Sequence, residues 1–486
     1  MNKTIMQKIL ILLSLFSLLA CGGSSGGSQN AGHAAGPPEL TSLNPAPNDS
    51  SVLLASSITA MFDKSMNSGS PSTFVVYGSQ TGKLLGGTYT GGGSDTLSFA
   101  AGSSFKVGEE IEVILTDMLT STGGVSLESP FVYRFRAETL GGTGNFTVGD
   151  TVSGQTDIRA LVAGDWDGDG DLDLAAANFS DSLVAVLRND GSGHFTLAPT
   201  DIVLGQIDVQ ALVAGDWDGD GDLDLAAANN GTSTVAILIN DGSGIFAVAD
   251  TVLGQADVVA LVAGDWDGDG DLDLAANSGI STVNVLENDG TGDFTPADTV
   301  SGQTNVQALI AGDWDGDGDL DLASANFGSS VVGILINDGF GDFTAGNPIG
   351  GQPSVVALAA GDWNGDGDLD LAANSGISTI NVLKNDGTGS FTLLDSISGQ
   401  TNVKALVAGD WDGDGDLDLA AANSSASEVA ILINGGMASG NFTVADTVLN
   451  QTGVQALAAG DWDGDNDLDL AGANDGNSTI NTLEND

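Results

Sequence analysis

Seven stretches of this chain place an acidic or amide side chain at every second residue. The first reads Asp165-Trp166-Asp167-Gly168-Asp169-Gly170-Asp171-Leu172-Asp173. Counted from Asp165, carboxylates fall at positions 1, 3, 5, 7 and 9, with glycine at 6. The other sets are Asp216, Asp218, Asp220, Asp222 and Asp224; Asp265, Asp267, Asp269, Asp271 and Asp273; and Asp313, Asp315, Asp317, Asp319 and Asp321. They continue with Asp362, Asn364, Asp366, Asp368 and Asp370; Asp410, Asp412, Asp414, Asp416 and Asp418; and Asp461, Asp463, Asp465, Asp467 and Asp469. Five carboxylates within nine residues repel one another unless a cation sits among them. Calcium takes six to eight hard oxygens in forgiving geometry, whereas magnesium keeps its waters. A tightly wound loop would aim side chains 1, 3, 5 and 9 inward and offer the carbonyl of 7. Glycine at 6 permits the sharp turn at positive φ. The expected cofactor is therefore calcium, up to seven ions, in a structural role. Asn364 still offers an oxygen, and Asn466 at position 6 tolerates left-handed φ. Both departing loops are expected to bind, more weakly.

The elements that hold these loops repeat with them. The motif begins at Gly164, Gly215, Gly264, Gly312, Gly361, Gly409 and Gly460, a period near 50 residues. In the first unit Ala160–Trp166, Leu172–Ala177, Leu183–Leu187 and Phe195 to about Val203 read as four strands. Asn189-Asp190-Gly191 marks a hairpin. Seven four-stranded units predict an all-β, seven-bladed β-propeller. Its ends look complementary. The chain stops at Asn485-Asp486, while Gly144-Asn145-Phe146-Thr147 supplies the strand the last unit lacks. All seven tryptophans occupy loop position 2. They are expected to pack between blades rather than stack on sugars. Gln155, Gln206, Gln255, Gln303, Gln352, Gln400 and Gln451 each precede position 1 by ten residues. A backbone hydrogen bond fixing the interblade turn is expected, with a ligand-facing amide ring as the alternative.

The loop is not an EF-hand, because position 12 is Ala176 rather than Glu and a strand follows. D-x-D-x-D-G-x-x-D before a strand, with N-D-G-x-G-x-F after it, resembles the calcium hairpins of FG-GAP repeats, also called VCBS repeats. The resemblance covers residues 144–486. It implies the propeller seen in integrin α heads and bacterial surface proteins. It also implies a ligand face opposite the calcium loops, where Phe179-Ser180-Asp181, Asn230-Gly231-Thr232, Ser278-Gly279-Ile280, Phe327-Gly328-Ser329 and Ser424-Ser425-Ala426 vary.

Charge divides the chain. Formal net charge is −55, and residues 145–486 carry 56 acids against four bases. Nucleic acid is excluded as a partner, since no basic stripe exists. Residues 1–20 read as a signal peptide, too short in its apolar core to span a bilayer. Leu18-Leu19-Ala20-Cys21 resembles the lipobox of bacterial lipoproteins. That resemblance implies lipidation of Cys21, a membrane anchor, and residence at the outer membrane or cell surface. Residues 21–38 form a Gly/Ser-rich tether, in which G-x-S-x-G at Gly22–Gly26 is fortuitous and His33 has no partner. Alternating runs within 39–139, such as Ser57–Phe62 and Phe131–Phe135, predict a small β-sandwich. Asn44-Pro45, Phe62-Asp63-Lys64-Ser65-Met66 and Tyr133-Arg134-Phe135 resemble the bacterial Ig-like domain, whose usual role is a spacer. The expected function is a surface-anchored, calcium-binding adhesion module for a glycan or protein ligand. A structural envelope scaffold is the alternative. No enzyme is expected: residues 145–486 hold three Glu, one His and no Tyr. His194 is read as exposed filler.

Overall fold

A computed structural model describes residues 36–436 and 440–485. The signal peptide, Cys21, His33 and most of the tether lie outside these residues. Among the described residues no helix is long and apolar enough to cross a membrane.

Residues 146–485 form seven antiparallel four-stranded blades. The third blade is representative, with strands Leu261–Gly264, Asp273–Ser278, Thr282–Asn288 and Phe294–Ser301. Its second strand, Asp-Leu-Ala-Ala-Asn-Ser, is buried through its first five residues. Both of its faces meet neighbouring blades, which is why it reads as an apolar run rather than an alternation. The outer strand is mostly exposed, as an edge strand should be. In the first blade Pro199 lies in a gap of the outer strand, between Phe195–Thr196 and Ile202–Leu204; Pro348 lies in the corresponding gap of the fourth. Proline donates no ladder hydrogen bond, so it is tolerated only at such an edge.

The ring closes as the two ends imply. Phe146–Ser153 pairs with Thr479–Asn485, in register from Phe146 opposite Asn485 to Ser153 opposite Thr479. The innermost strands touch in sequence around the ring, and Ile158–Gly164 of the first blade meets Val454–Gly460 of the last.

Two repeated contacts join the blades. Each tryptophan is buried and meets a phenylalanine of the next blade's outer strand edge-on. Trp217 and Phe294 have centroids 5.7 Å apart, and Trp411 reaches the N-terminal strand at Phe146, 5.9 Å away. The expected interblade packing is thus observed. The asparagine ending each third strand also reaches back across the interface. Asn288 donates to the Trp217 carbonyl at 2.9 Å, and Asn485 to the Trp411 carbonyl at 2.8 Å.

The N-terminal sandwich stacks two four-stranded sheets. One contains Leu40–Asn44, Ile58–Phe62, Thr96–Ala100 and Thr88–Thr90; the other Gly82–Lys83, Phe74–Gly78, Glu110–Leu115 and Phe131–Arg136. Phe74, Phe99, Val113, Tyr133 and Phe135 lie in its core. This domain is seated directly on the propeller. It sits on the acidic-loop face of the propeller. Its donors meet the carbonyl of loop position 6 in one repeat after another. Lys106 Nζ meets Gly170, Tyr77 Oη meets Gly270 at 3.0 Å, and Val132 N meets Gly318 at 2.8 Å. Asn48 Nδ2 meets Gly367 at 3.1 Å, Ser50 Oγ meets Gly415 at 3.4 Å, and Leu140 N in the following linker meets Asn466 at 3.0 Å. At the second loop Gly82 packs so closely on the Gly221 carbonyl that a Cβ there would lie 3.0 Å from it. Charge supports this seat. Lys83 reaches Asp271, while Arg134, paired with Glu112 at 2.6 Å, also donates to the Ala263 carbonyl.

Candidate metal centres

Each acidic loop is wound by hydrogen bonds that begin at position 1. One carboxylate oxygen of Asp165 accepts from the position-6 amide of Gly170 at 3.0 Å. The same bond recurs in every repeat, ending with Asn466 N to Asp461 at 3.1 Å. It bends the chain so that position 6 adopts positive φ, 101° at Gly170 and 75° at Asn466. Asn466 therefore takes the left-handed conformation expected of it.

Position 9 braces the loop against the sheet. Asp224 accepts from Trp217 N at 2.9 Å with one oxygen and from Asn240 N at 2.8 Å with the other. Asn240 then donates its side-chain amide to the Leu223 carbonyl and to the preceding blade's Trp166 carbonyl. One asparagine thereby ties the loop, its own sheet and the adjacent loop together.

Positions 1, 3 and 9 converge. Oxygens of Asp165, Asp167 and Asp173 lie within 4.8 Å of one another. Asp216, Asp218 and Asp224 form the same group, as do Asp313, Asp315 and Asp321, and Asp410, Asp412 and Asp418. In the third loop the convergent set is Asp265, Asp267 and Asp269. Position 7 points elsewhere: the Asp171 carboxylate abuts Gly191 of the adjoining turn, 2.4 Å from where a Cβ would stand.

The electrostatics of these groups are consistent with a bound cation. Buried oxygens of Asp165, Asp167, Asp216, Asp315 and Asp412, all at positions 1 and 3, have no hydrogen-bond partner. Leaving a buried charge unpaired is expensive. Burial pushes Asp224, Asp418 and Asp469 up to about 8, Asp321 to about 9, and Asp173 and Asp370 to about 7. Burial and the neighbouring carboxylates of Asp315 and Asp319 push Asp317 up to about 8. Three converging carboxylates per cluster, with an orphaned oxygen in several of them, suit a divalent ion with oxygen preference. They offer no sulfur or imidazole for zinc or copper.

The fifth loop is built differently. Asn364 Nδ2 donates to Asp370 at 2.6 Å, where six other loops use the tryptophan amide on that oxygen. Lys384 Nζ lies 3.0 Å from Asn364 Oδ1 and 2.5 Å from Asp366 Oδ2. Burial works to raise Asp366, but the Lys384 hydrogen bond prevails and holds its carboxyl below the usual range.

The glutamines are buried, but their main partner is not the backbone. Gln206 Oε1 accepts from Asn229 Nδ2 at 2.8 Å, and Gln400 from Asn423 at 2.8 Å. These two lock the end of the second strand to the incoming connection, whereas Gln255 and Gln352 accept from Asn284 and Asn381 of the third strand, and none of the seven faces solvent. His194 is exposed, with Nδ1 3.1 Å from the Ser192 carbonyl two residues away. The asparagine that ends the third strand recurs in all seven repeats, in five of them as Asn-Asp-Gly, and that recurrence is the signal in the sequence of a role beyond the turn.

Comparison with known families places these loops among relatives. A profile described as FG-GAP-like repeat matches residues 165–227, 216–276, 268–324, 313–373, 362–421 and 410–472. A profile described as bacterial Ig-like domain matches residues 34–137. No curated protein matches the chain. Solved structures similar to it include a protein from Lactobacillus plantarum, 13% identical, with a TM-score of 0.47, covering 79% of this chain and 98% of that one. A putative 6-phosphogluconolactonase from Bacteroides uniformis is 12% identical, with a TM-score of 0.49, covering 77% and 96%. BBS1N, solved in complex with ARL6DN, is 13% identical, with a TM-score of 0.49, covering 71% and 98%.

Proposed function

Since the chain belongs to the FG-GAP-like repeat family and carries a bacterial Ig-like domain, we propose that it is a calcium-dependent adhesion module of the bacterial surface. The lipobox-like Leu18-Leu19-Ala20-Cys21 supports anchoring through an acylated Cys21. Calcium would be held by the carboxylates at loop positions 1, 3, 5 and 9 and the carbonyl at 7, and its contribution is charge neutralisation and fixed loop geometry. The chain's own residues do the binding.

One observation carries the choice of face. The Ig-like domain covers the acidic-loop side, and the opposite side presents apolar side chains from three consecutive blades. Ile280, Phe327 and Ile377 are 74%, 42% and 78% exposed in the loops joining second and third strands. Large apolar side chains exposed on one face of several neighbouring blades are candidates for an interaction surface. Two of the three are aliphatic, which suits a protein surface better than the flat face of a sugar. The ligand is therefore a protein.

The test is binding of the mature chain to a panel of extracellular proteins and to a glycan array, in calcium and after chelation. Calcium-dependent binding to a protein that disappears in the Ile280→Ser, Phe327→Ser, Ile377→Ser triple variant is expected. Hits on glycans alone would refute the protein ligand, and silence on both would favour a structural scaffold. Retention of the wild type, but not Cys21→Ser, in the membrane fraction would establish the anchor.

A further inference from the structure

The seven loops are nearly identical in sequence, but the residue flanking them is not. Immediately before the asparagine that ends each third strand stands one variable position. It is Arg188 in the first repeat and Lys384 in the fifth, Glu287 in the third and Glu484 in the seventh, and Ile239, Ile336 and Ile433 in the others. This side chain lies beside position 3 of its own loop. Glu287 and Asp267 border the same glycine, Gly341, of the next blade's turn. Glu484 and Asp463 share Gly193 in the same way, and Ile336 and Asp315 share Gly389. The flanking residue thus meets the loop at one of its proposed ligands.

In the fifth repeat that residue reaches inside the ligand set. The Lys384 ammonium contacts the side-chain oxygens of position 3, Asn364, and position 5, Asp366. Position 3 has also lost its charge, and its amide nitrogen donates to the position-9 carboxylate of Asp370. Two oxygens of the ligand set, Asn364 Oδ1 and Asp366 Oδ2, are here engaged by the chain's own ammonium, while the position-9 oxygen that the tryptophan amide holds in six other loops is held by the Asn364 amide. A divalent ion entering this loop would have to expel an ammonium and face its charge. It would also meet one carboxylate fewer.

Arg188 in the first repeat differs. Its guanidinium is held by Asp201 through Nε at 2.9 Å and Nη2 at 3.1 Å, and only Nη1 touches Asp167, at 2.7 Å. The other Asp167 oxygen stays buried and unpaired, and Asp165, Asp167 and Asp173 still converge. The first loop keeps its cage.

We infer that the fifth loop does not take a divalent ion, because Lys384 serves as its built-in cation, and that the chain binds six ions rather than seven. This rests on the proposed divalent-ion role of the other loops. The lysine keeps the fifth blade interface neutralised when external ions are scarce, while an ammonium on a half-exposed pair supplies far less binding energy than a chelated ion.

The test counts calcium bound per full chain, by equilibrium dialysis at saturating calcium in physiological salt. Six ions are expected for the wild type. Asp362→Asn, which removes position 1 of the fifth loop, leaves the count unchanged, whereas Asp313→Asn lowers it by one. Asn364→Asp with Lys384→Ile, copying the neighbouring repeats, raises it by one. A count that falls with Asp362→Asn, or fails to rise in the double variant, overturns the inference. A wild type that binds no calcium overturns the divalent-ion reading beneath it, and the two failures are thereby distinguished.

Discussion

The buried position-9 carboxylates predict that removing ions reverses the sign of the protein's pH dependence. The perturbation is stripping by chelating resin, followed by thermal melts between pH 5 and pH 8. Burial raises Asp224, Asp418 and Asp469 to about 8 in the ion-free fold, against 3.8 for an ordinary aspartate. A group whose folded value is raised binds more protons folded than unfolded. Its stabilisation is complete in acid and lost as pH rises, here from about 4 toward 8. At neutrality each such group costs roughly 4 kcal/mol of folding stability. Relaxation of the loops will recover much of this, yet a fraction is measurable. The stripped protein should melt higher at pH 5 than at pH 8. With calcium, ionised carboxylates are the bound form, and stability should instead fall as acid protonates them and releases the ions. Repetition in about 1 M salt removes general surface repulsion, because the Debye length falls to about 3 Å. Melting temperatures that rise with pH in both preparations would refute the reasoning.

Other outcomes follow from the interblade contacts. Asn288→Ala removes donors to the Trp217 and Leu272 carbonyls at 2.9 and 3.0 Å and leaves both buried. It should cost about 2–4 kcal/mol in denaturant melts of the calcium-loaded protein. Trp266→Ala empties a fully buried site against Phe343 and should cost about 3–5 kcal/mol by the same assay. Deleting Phe146–Ser153 exposes the edge of Thr479–Asn485 and should produce oligomers by size-exclusion chromatography with light scattering. Replacing Tyr77 by Phe removes a donor to the Gly270 carbonyl. It should speed proteolysis of the linker after residue 137 while leaving propeller melting nearly unchanged.

Much of this architecture was legible because the chain repeats itself. Seven copies of one loop reveal which positions recur, and the missing strand in the last copy announces its replacement before the first. The tryptophans could be assigned to blade interfaces from alternation alone. The seat of the Ig-like domain was not legible, since it rests on backbone carbonyls of position 6. Carbonyls carry no residue identity, and their partners Asn48, Ser50, Tyr77 and Lys106 share no motif. The partner of each glutamine was also hidden, because Asn229 lies 23 residues from Gln206 and meets it only after the blade forms. Lys384 was missed for a similar reason. It stands 20 residues from Asn364, and only strand pairing brings its ammonium to the loop.

The central claim is that the aspartate loops are ion cages on which the blade interfaces depend. All seven tryptophans lie at those interfaces and are fully buried. Their emission, followed while calcium is titrated into the stripped chain, reads both events together. A saturable blue shift that chelator reverses is the predicted result. Emission that stays fixed across the titration, with no calcium retained on the chain, would contradict the account.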